Sequence, residues 1–178
     1  MNMNFKYYGK IDVSKIKKKL SKLDWESWKY RQKMSEGVHI HTKSVPIIFD
    51  EERKKAIYRE EYELFKDDLE IISEIFKKQI GDGYLFNALL INLPAGKAIK
   101  THTDVHESFE ISHRIHIPII TNDKCFFSVD IETKNLKEGE LWEINNTEKV
   151  HGVINDGDED RIHLLVDWIS VKKEKSLL

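Results

Sequence analysis

The sequence predicts an α+β protein with a mainly β core: a double-stranded β-helix, or jelly roll, with amino-terminal helices packed on one outer face. Short strand-like segments follow one another from residue 84 onward with turn signals between them. Helical periodicity is concentrated before that point. At 178 residues the chain is long enough for one domain with a substantial core. We expect a single domain, mainly helical over 1–83 and with the β-helix core at 84–170.

Two helical segments are expected near the amino terminus. The first spans residues 13–20, where Asp12 is positioned to cap the helix and three apolar residues share one face: Val13, Ile16 and Leu20. The second spans residues 24–34, and its bulky apolar residues are Trp25, Trp28 and Met34. Residues 1–8 are polar and contain no apolar signal region.

A strand and a long helix are expected before the β-rich half. Residues 45–49 are apolar, and Pro46 cannot donate to a β-ladder, so we place this strand near a sheet edge. A helix is expected over residues 50–79 and is ended by Gly81. Its apolar residues recur at helical spacing: Tyr62, Phe65, Leu69, Ile72 and Phe76.

The β-rich half divides into six strand-like segments. Turn-forming residues separate them, and no helical period intervenes. The segments are Tyr84–Leu93, Arg114–Ile120, Cys125–Ile131, Leu141–Ile144, a strand at His151 and a strand beginning at Arg161.

Three residues have the character of metal ligands. His102 and Asp104 are two positions apart, and residues i and i+2 of a β-strand point to the same face. A third ligand must come from another strand, and His151 lies in a strand-like run. Two imidazoles and one carboxylate are the ligand set of a non-haem Fe(II) facial triad. The pattern therefore predicts an iron site.

Arg161 begins the clearest strand of the sequence. Its alternating residues form two sets, one apolar (Ile162, Leu164, Val166, Trp168) and one mixed (Arg161, His163, Leu165, Asp167). The guanidinium can therefore project into the interior of the barrel. There it could pair with the distal carboxylate of a bidentate 2-oxo acid, a two-point contact that lysine reproduces poorly.

Several ordered motifs between residues 89 and 168 resemble the aspartyl/asparaginyl β-hydroxylase family of 2-oxoglutarate-dependent oxygenases. They are Pro94-Ala95-Gly96, His102-Thr103-Asp104, Arg114-Ile115-His116-Ile117-Pro118, Glu138-Gly139-Glu140-Leu141-Trp142, His151 through Asn155, and Arg161-Ile162-His163-Leu164. The resemblance implies a cupin-like fold, with Fe(II), 2-oxoglutarate and O2 as cofactor and cosubstrates.

The resemblance also implies residue roles. Iron would be held by His102, Asp104 and His151, and 2-oxoglutarate would be contacted by Arg114, His116 and Arg161. Asn92, on the strand before the Pro94 turn, is a further candidate contact for 2-oxoglutarate. Animal hydroxylases of this family that act on epidermal-growth-factor domains lack a carboxylate at the position of Asp104, whereas the bacterial free-amino-acid hydroxylases keep it.

The implied activity is hydroxylation of an amino acid, a peptide or protein side chain, or a related small molecule. Two other classes stay open. One is a metal-binding cupin without oxygenase activity, such as an isomerase or a hydrolase that uses Zn(II). The other is a non-catalytic binding module that retains the jelly roll. Residues 105–110 are expected to be a loop near the substrate pocket or a lid.

Composition limits the partners. The 29 basic and 31 acidic residues give a net charge of −2, so we expect neither nucleic acid nor a membrane surface as a partner. The single cysteine, Cys125, excludes an internal disulfide. With no apolar signal region at the amino terminus, these features favour a cytoplasmic protein. The sequence does not predict the oligomeric state.

Overall fold

Two antiparallel sheets make up the β core. A computed structural model describes residues 3–26 and 37–174. Within them, the main sheet has the strand order β1-β8-β5-β10-β3-β2 and the smaller sheet the order β4-β9-β6-β7. The strands are β1 (Phe5–Lys10), β2 (Lys43–Ile48), β3 (Gly83–Leu93), β4 (Lys97–His102), β5 (Ser112–Ile120), β6 (Cys125–Val129), β7 (Glu132–Lys134), β8 (Glu140–Ile144), β9 (His151–Asn155) and β10 (Arg161–Ser170).

The helices lie mainly in the amino-terminal half. They are α1 (Ser14–Lys19), which continues as a 3-10 turn over Leu20–Lys22, α2 (Tyr62–Gln79), α3 (Glu107–Ile111) and α4 (Val171–Glu174). In the part of the chain that the structure describes, no helix has both the length and the apolar character needed to span a membrane.

Helices α1 and α2 pack against one face of the main sheet. Their buried residues Ile16, Leu69 and Phe76 belong to one apolar cluster with residues of β3, β5 and β10. A second apolar cluster joins the main sheet to the smaller one, and its members include Phe5, Leu93, Ile99, Phe127, Ile144 and Val153. This layering, helices on the outside and an interior between two sheets, confirms the predicted fold class.

Strand β10 has the predicted alternation. Its apolar set, Ile162, Leu164, Val166 and Trp168, lies in the cluster with the helices. The other set is also buried, and its polar members are Arg161, His163 and Asp167. The strand therefore carries apolar side chains toward the helices and polar ones toward the interior of the barrel.

The predicted edge strand is confirmed, with shifted bounds. Strand β2 is at one end of the main sheet and pairs with β3. Pro46 can therefore lack a backbone donor without leaving a gap in a central ladder.

Most of the helix predicted over residues 24–34 lies outside the described residues.

The amino-terminal strand β1 was not predicted. Phe5–Lys10 pairs antiparallel with β8, and Phe5 and Tyr8 are buried. The neighbouring lysines and asparagines lower the average hydropathy of this segment, but only its inward-facing side chains need to be apolar. The strand thus depends on a long-range partner that local composition does not reveal.

The long helix is shorter than predicted. It begins at Tyr62 rather than at residue 50. Asp50 accepts hydrogen bonds from the backbone N–H groups of Glu52 and Lys54, at 3.3 and 2.9 Å, and this side chain holds the segment in turns instead of a helix. The predicted end is confirmed, since Gly81 follows the helix with a φ of +121°.

Two further boundaries differ from prediction. The strand expected over Cys125–Ile131 ends at Val129, because Asp130 adopts a φ of +53° and starts a tight turn into β7. The segment expected to be a loop over residues 105–110 contains α3. The imidazole of His106 caps this short helix by accepting a hydrogen bond from the backbone N–H of Ser108 at 3.1 Å.

Adjacent isoleucines on α2 provide a test of this packing. Ile72 is fully buried against the sheet, whereas Ile71 is 54% exposed. We expect Ile72→Ala to lower the free energy of unfolding by about 2–5 kcal/mol, because it leaves a cavity in the core. Ile71→Ala should change it far less. Urea unfolding of both variants measures the difference, and equal losses would contradict the packing of α2.

Candidate functional site

The three predicted metal ligands come together at one end of the smaller sheet. His102 ends β4 and His151 begins β9, and the two residues are directly paired across these strands. One ligand atom from each of His102, Asp104 and His151 lies within 4.8 Å of the others. Asp104 lies beyond the end of β4 rather than on the strand, which corrects the geometry expected from the sequence. Its position is fixed by its backbone N–H, which donates to the carbonyl of Asn146 at 2.8 Å.

Both imidazoles direct Nε2 toward Asp104. Nδ1 of His102 donates to the carbonyl of Lys100 at 2.8 Å, which leaves Nε2 as the nitrogen available to a metal; this Nε2 is 3.8 Å from Oδ1 of Asp104. Nε2 of His151 is 3.9 Å from Oδ2 of Asp104. Burial lowers the pKa of His151 to about 4, although the charge of Asp104 acts in the opposite direction. Two imidazoles and one carboxylate suit a first-row divalent metal ion, iron among them.

Arg161 is a buried cation without an anionic partner in the described part of the chain. Its side chain is 1% exposed, and Nη2 lies 2.6 Å from Nδ1 of His163. Its Nε has no hydrogen-bond partner there. Burial lowers the pKa of Arg161 to about 10, while the Cys125 thiol acts weakly in the opposite direction. A buried guanidinium with an unused donor fits a ligand that carries a carboxylate.

Two further histidines lie in the same interior. Burial, reinforced by the charge of Arg161, holds the pKa of both His116 and His163 well below the usual value for histidine. Both rings are therefore neutral. His116 packs edge-on against Phe127, with ring centroids 4.8 Å apart, and its Nδ1 has no hydrogen-bond partner among the described residues.

Arg114 is paired with two carboxylates. Its Nη1 donates to Oδ2 of Asp104 at 2.5 Å, and its Nε and Nη2 donate to Oδ1 and Oδ2 of Asp167, both at 2.8 Å. Burial would lower the pKa of Arg114, but the charges of Asp167 and Asp104 outweigh that effect and raise it. The contact with 2-oxoglutarate expected from the sequence stays a prediction.

One narrow cavity contains most of the predicted site. Six of the seven predicted residues line it: His102, Asp104, Arg114, His116, His151 and Arg161. Asn92 is not among the described residues that line this cavity. Its amide nitrogen donates to Oδ2 of Asp160 at 2.9 Å, next to the turn at Ala95. A role for Asn92 in binding 2-oxoglutarate stays a prediction.

Three residues at the site were given no role from the sequence. His39 lines the cavity, and its ring packs edge-on against His102 with centroids 5.2 Å apart. Asn146 donates to Oδ2 of Asp104 at 2.9 Å, and Asp167 holds Arg114. The alternation of β10 placed Asp167 on the same face as Arg161, and this signal could have identified it. His39 and Asn146 carry no comparable signal.

Comparison with solved structures supports the fold. An oxidoreductase of the 2OG-Fe(II) oxygenase family from Burkholderia pseudomallei matches with a TM-score of 0.60 and 13% identity, over 72% of this chain and 67% of that one. The viral collagen prolyl hydroxylase of Paramecium Bursaria Chlorella virus-1, solved with 2OG, matches with a TM-score of 0.56 and 7% identity, over 96% and 98% of the two chains. At these identities the likeness establishes the fold alone.

Sequence comparison identifies the family. No curated protein matches the chain. A family model described as aspartyl/asparaginyl beta-hydroxylase matches residues 12–170, a range that includes the three clustered ligand residues and both buried arginines. The chain therefore belongs to the aspartyl/asparaginyl β-hydroxylase family.

Proposed function

We propose that this protein is an Fe(II)- and 2-oxoglutarate-dependent dioxygenase that hydroxylates an amino acid, a peptide or protein side chain, or a related small molecule. One observation carries the proposal. A cluster of two imidazoles and a carboxylate shares a cavity with Arg161, a buried cation without an anionic partner in the described residues. A site that only bound a metal would not require that arginine.

His102, Asp104 and His151 would hold the iron. When bound, Fe(II) together with 2-oxoglutarate and O2 supplies the oxidising chemistry of a hydroxylation. His151 can donate a lone pair without first releasing a proton, because burial keeps its ring neutral. The Lys100 carbonyl accepts from Nδ1 of His102 and so leaves Nε2 as the nitrogen that would face the metal. The negative charge of Asp104 offsets part of the charge of a divalent ion.

Arg161 and His116 would bind 2-oxoglutarate. The planar guanidinium of Arg161 can form two parallel hydrogen bonds with a carboxylate. The neutral ring of His116 adds a polar group without adding charge. The cavity volume is about 30 Å³, which suits an ion or a water molecule. A five-carbon diacid is larger, so lining side chains must move when it binds.

A turnover assay tests the proposal. Purified protein supplied with Fe(II), ascorbate and 2-oxoglutarate should form succinate, and pools of free amino acids and peptides should be screened for one that stimulates it. The hydroxylated product is then identified by mass spectrometry. Binding of Fe(II) with no binding of 2-oxoglutarate would instead support a metal-binding cupin of another class. Binding of neither would support a non-catalytic module.

Replacing His151 tests the metal site. We expect His151→Ala to abolish stoichiometric Fe(II) binding and succinate formation, because it removes one of three ligands. The matched control is His113→Ala, since His113 pairs with Glu143 at 2.7 Å and lies outside the cavity lining. Anaerobic metal titration measures the affinity, and circular dichroism checks the fold. Unchanged metal affinity in His151→Ala would remove this residue from the site.

Replacing Arg161 separates cosubstrate binding from metal binding. Arg161→Lys retains the charge but loses the two-point contact, so we expect 2-oxoglutarate affinity to fall by about 10-fold or more while Fe(II) affinity stays close to that of the parent. Arg161→Ala should lower it further. Arg59→Lys is the control, because Arg59 bonds the Phe49 carbonyl away from the cavity. Parental 2-oxoglutarate affinity in both Arg161 variants would contradict the assignment.

A further inference from the structure

We propose that Arg114 and Asn146 are positioning residues that fix the carboxylate of Asp104, so that one of its oxygens faces the metal. In this assignment, which rests on the proposed iron site, Arg114 acts through Asp104 and does not bind 2-oxoglutarate. The observations that carry it are the hydrogen bonds of Arg114, of Asn146 and of the buried Asp167.

Two donors converge on a single oxygen of Asp104. Oδ2 accepts hydrogen bonds from Nη1 of Arg114 at 2.5 Å and from Nδ2 of Asn146 at 2.9 Å. The two oxygens lie at similar distances from the imidazoles, Oδ1 3.8 Å from Nε2 of His102 and Oδ2 3.9 Å from Nε2 of His151. The two donors thus hold the carboxylate between the two histidine rings. Asn146 also accepts from the backbone N–H of Asp104, so it holds both ends of this residue.

Asp167 forms a buried two-point ion pair with the guanidinium of Arg114. The two residues face each other across β5 and β10, and both carboxylate oxygens of Asp167 accept from the guanidinium. Asp167 is fully buried and accepts a further hydrogen bond from Nδ2 of Asn87 at 2.8 Å. A two-point contact in a buried site leaves the guanidinium little freedom to rotate. Asp167 thus sets the direction from which Arg114 reaches Asp104.

The same contacts disfavour Arg114 as a ligand of 2-oxoglutarate. Three of its five N–H groups, one on each nitrogen atom, already donate to carboxylates. Phe109 covers one face, with its ring centroid 4.0 Å from the Cζ atom. Turning the guanidinium of Arg114 toward a ligand would disturb its buried ion pairs. Arg161 has an unused Nε and no carboxylate partner in the described residues, so it is the more available arginine.

Asp167, the second carboxylate bound to Arg114, changes the net charge of the group that contains Asp104. Arg114 alone would cancel the charge of Asp104 and weaken its attraction for a divalent cation. Asp167 offsets the charge of Arg114, so the three groups together carry a net charge of −1. Asp104 is therefore both oriented and left able to attract the metal.

Metal affinity tests the assignment without relying on turnover. Co(II) serves as the probe, because its visible absorption reports its coordination, and it is titrated anaerobically into the full-length protein. We expect Asn146→Ala and Arg114→Lys each to weaken Co(II) binding by about 10-fold or more, as loss of a residue that orients a ligand does. Asn145→Ala is the control for Asn146, because this buried neighbour bonds Glu148 instead of Asp104. It should bind Co(II) like the parent.

A double-mutant cycle separates positioning from a general loss of structure. In the Asp104→Ala background, Asn146→Ala should cause no further loss of Co(II) affinity, because there is no carboxylate left to position. At saturating Co(II), Arg114→Lys should bind 2-oxoglutarate with the parent's affinity. Additive losses in the cycle, or weaker 2-oxoglutarate binding by metal-saturated Arg114→Lys, would overturn the inference.

The outcomes also distinguish this inference from the proposed function. If the parent binds Co(II), His151→Ala does not, and both Asn146→Ala and Arg114→Lys match the parent, the inference is wrong and the metal site stands. If the parent fails to bind Co(II) at all, the proposed function and the inference both fail. Asn146→Ala keeps the test decisive if Arg114→Lys does not fold, because Asn146 lies in the turn after β8 and outside the buried ion pair.

Discussion

The burial of β10 on both faces is the constraint on which the site depends. This strand lies between β3 and β5 in the main sheet, and all ten of its residues are buried. Its apolar set is stabilised by packing on α1 and α2. Its polar set faces an interior where each unpaired polar group is costly, so every member needs a protein partner or a ligand. Arg161 is the polar residue that β10 contributes to the cavity lining, beside the polar residues of β4, β5 and β9.

The two buried arginines, Arg114 and Arg161, differ in whether protein carboxylates balance their charge. Arg114 is surrounded by carboxylates, and its pKa is raised because Asp167 and Asp104 stabilise the charged form more than burial penalises it. Arg161 has neutral neighbours, His163 and the Cys125 thiol, and burial lowers its pKa to about 10. Burial therefore destabilises the charged form of Arg161, and a bound carboxylate would stabilise it.

The sequence predicted the parts of this arrangement that repeat locally. Alternation in β10 reflects backbone geometry and is visible without tertiary information. The two-residue spacing predicted that His102 and Asp104 lie together, but Asp104 lies beyond β4 and is held by Asn146 rather than by strand geometry. The strand β1 was missed because its stability comes from pairing with β8, far away in the sequence. Asn146 was missed for a similar reason. It lies in a turn, where no periodic pattern marks it, and its hydrogen bond to Asp104 forms only because the fold brings these two distant residues together.

The amino-terminal half completes the site from segments that have no regular pattern. His39 packs against the ring of His102 from the segment before β2. Arg53, in the turn organised by Asp50, lies over the outer face of Phe109, with its Cζ 4.6 Å from the ring centroid, while Arg114 covers the same ring at 4.0 Å. In the proposed site, most of the residues assigned to metal and cosubstrate lie on strands of the β core, and Asp104 lies just beyond the end of β4. The residues around them come from turns and a short helix, and these segments contact the cluster directly, His39 at His102 and Phe109 at Arg114. The packing of the cluster therefore depends on irregular segments as well as on the strands.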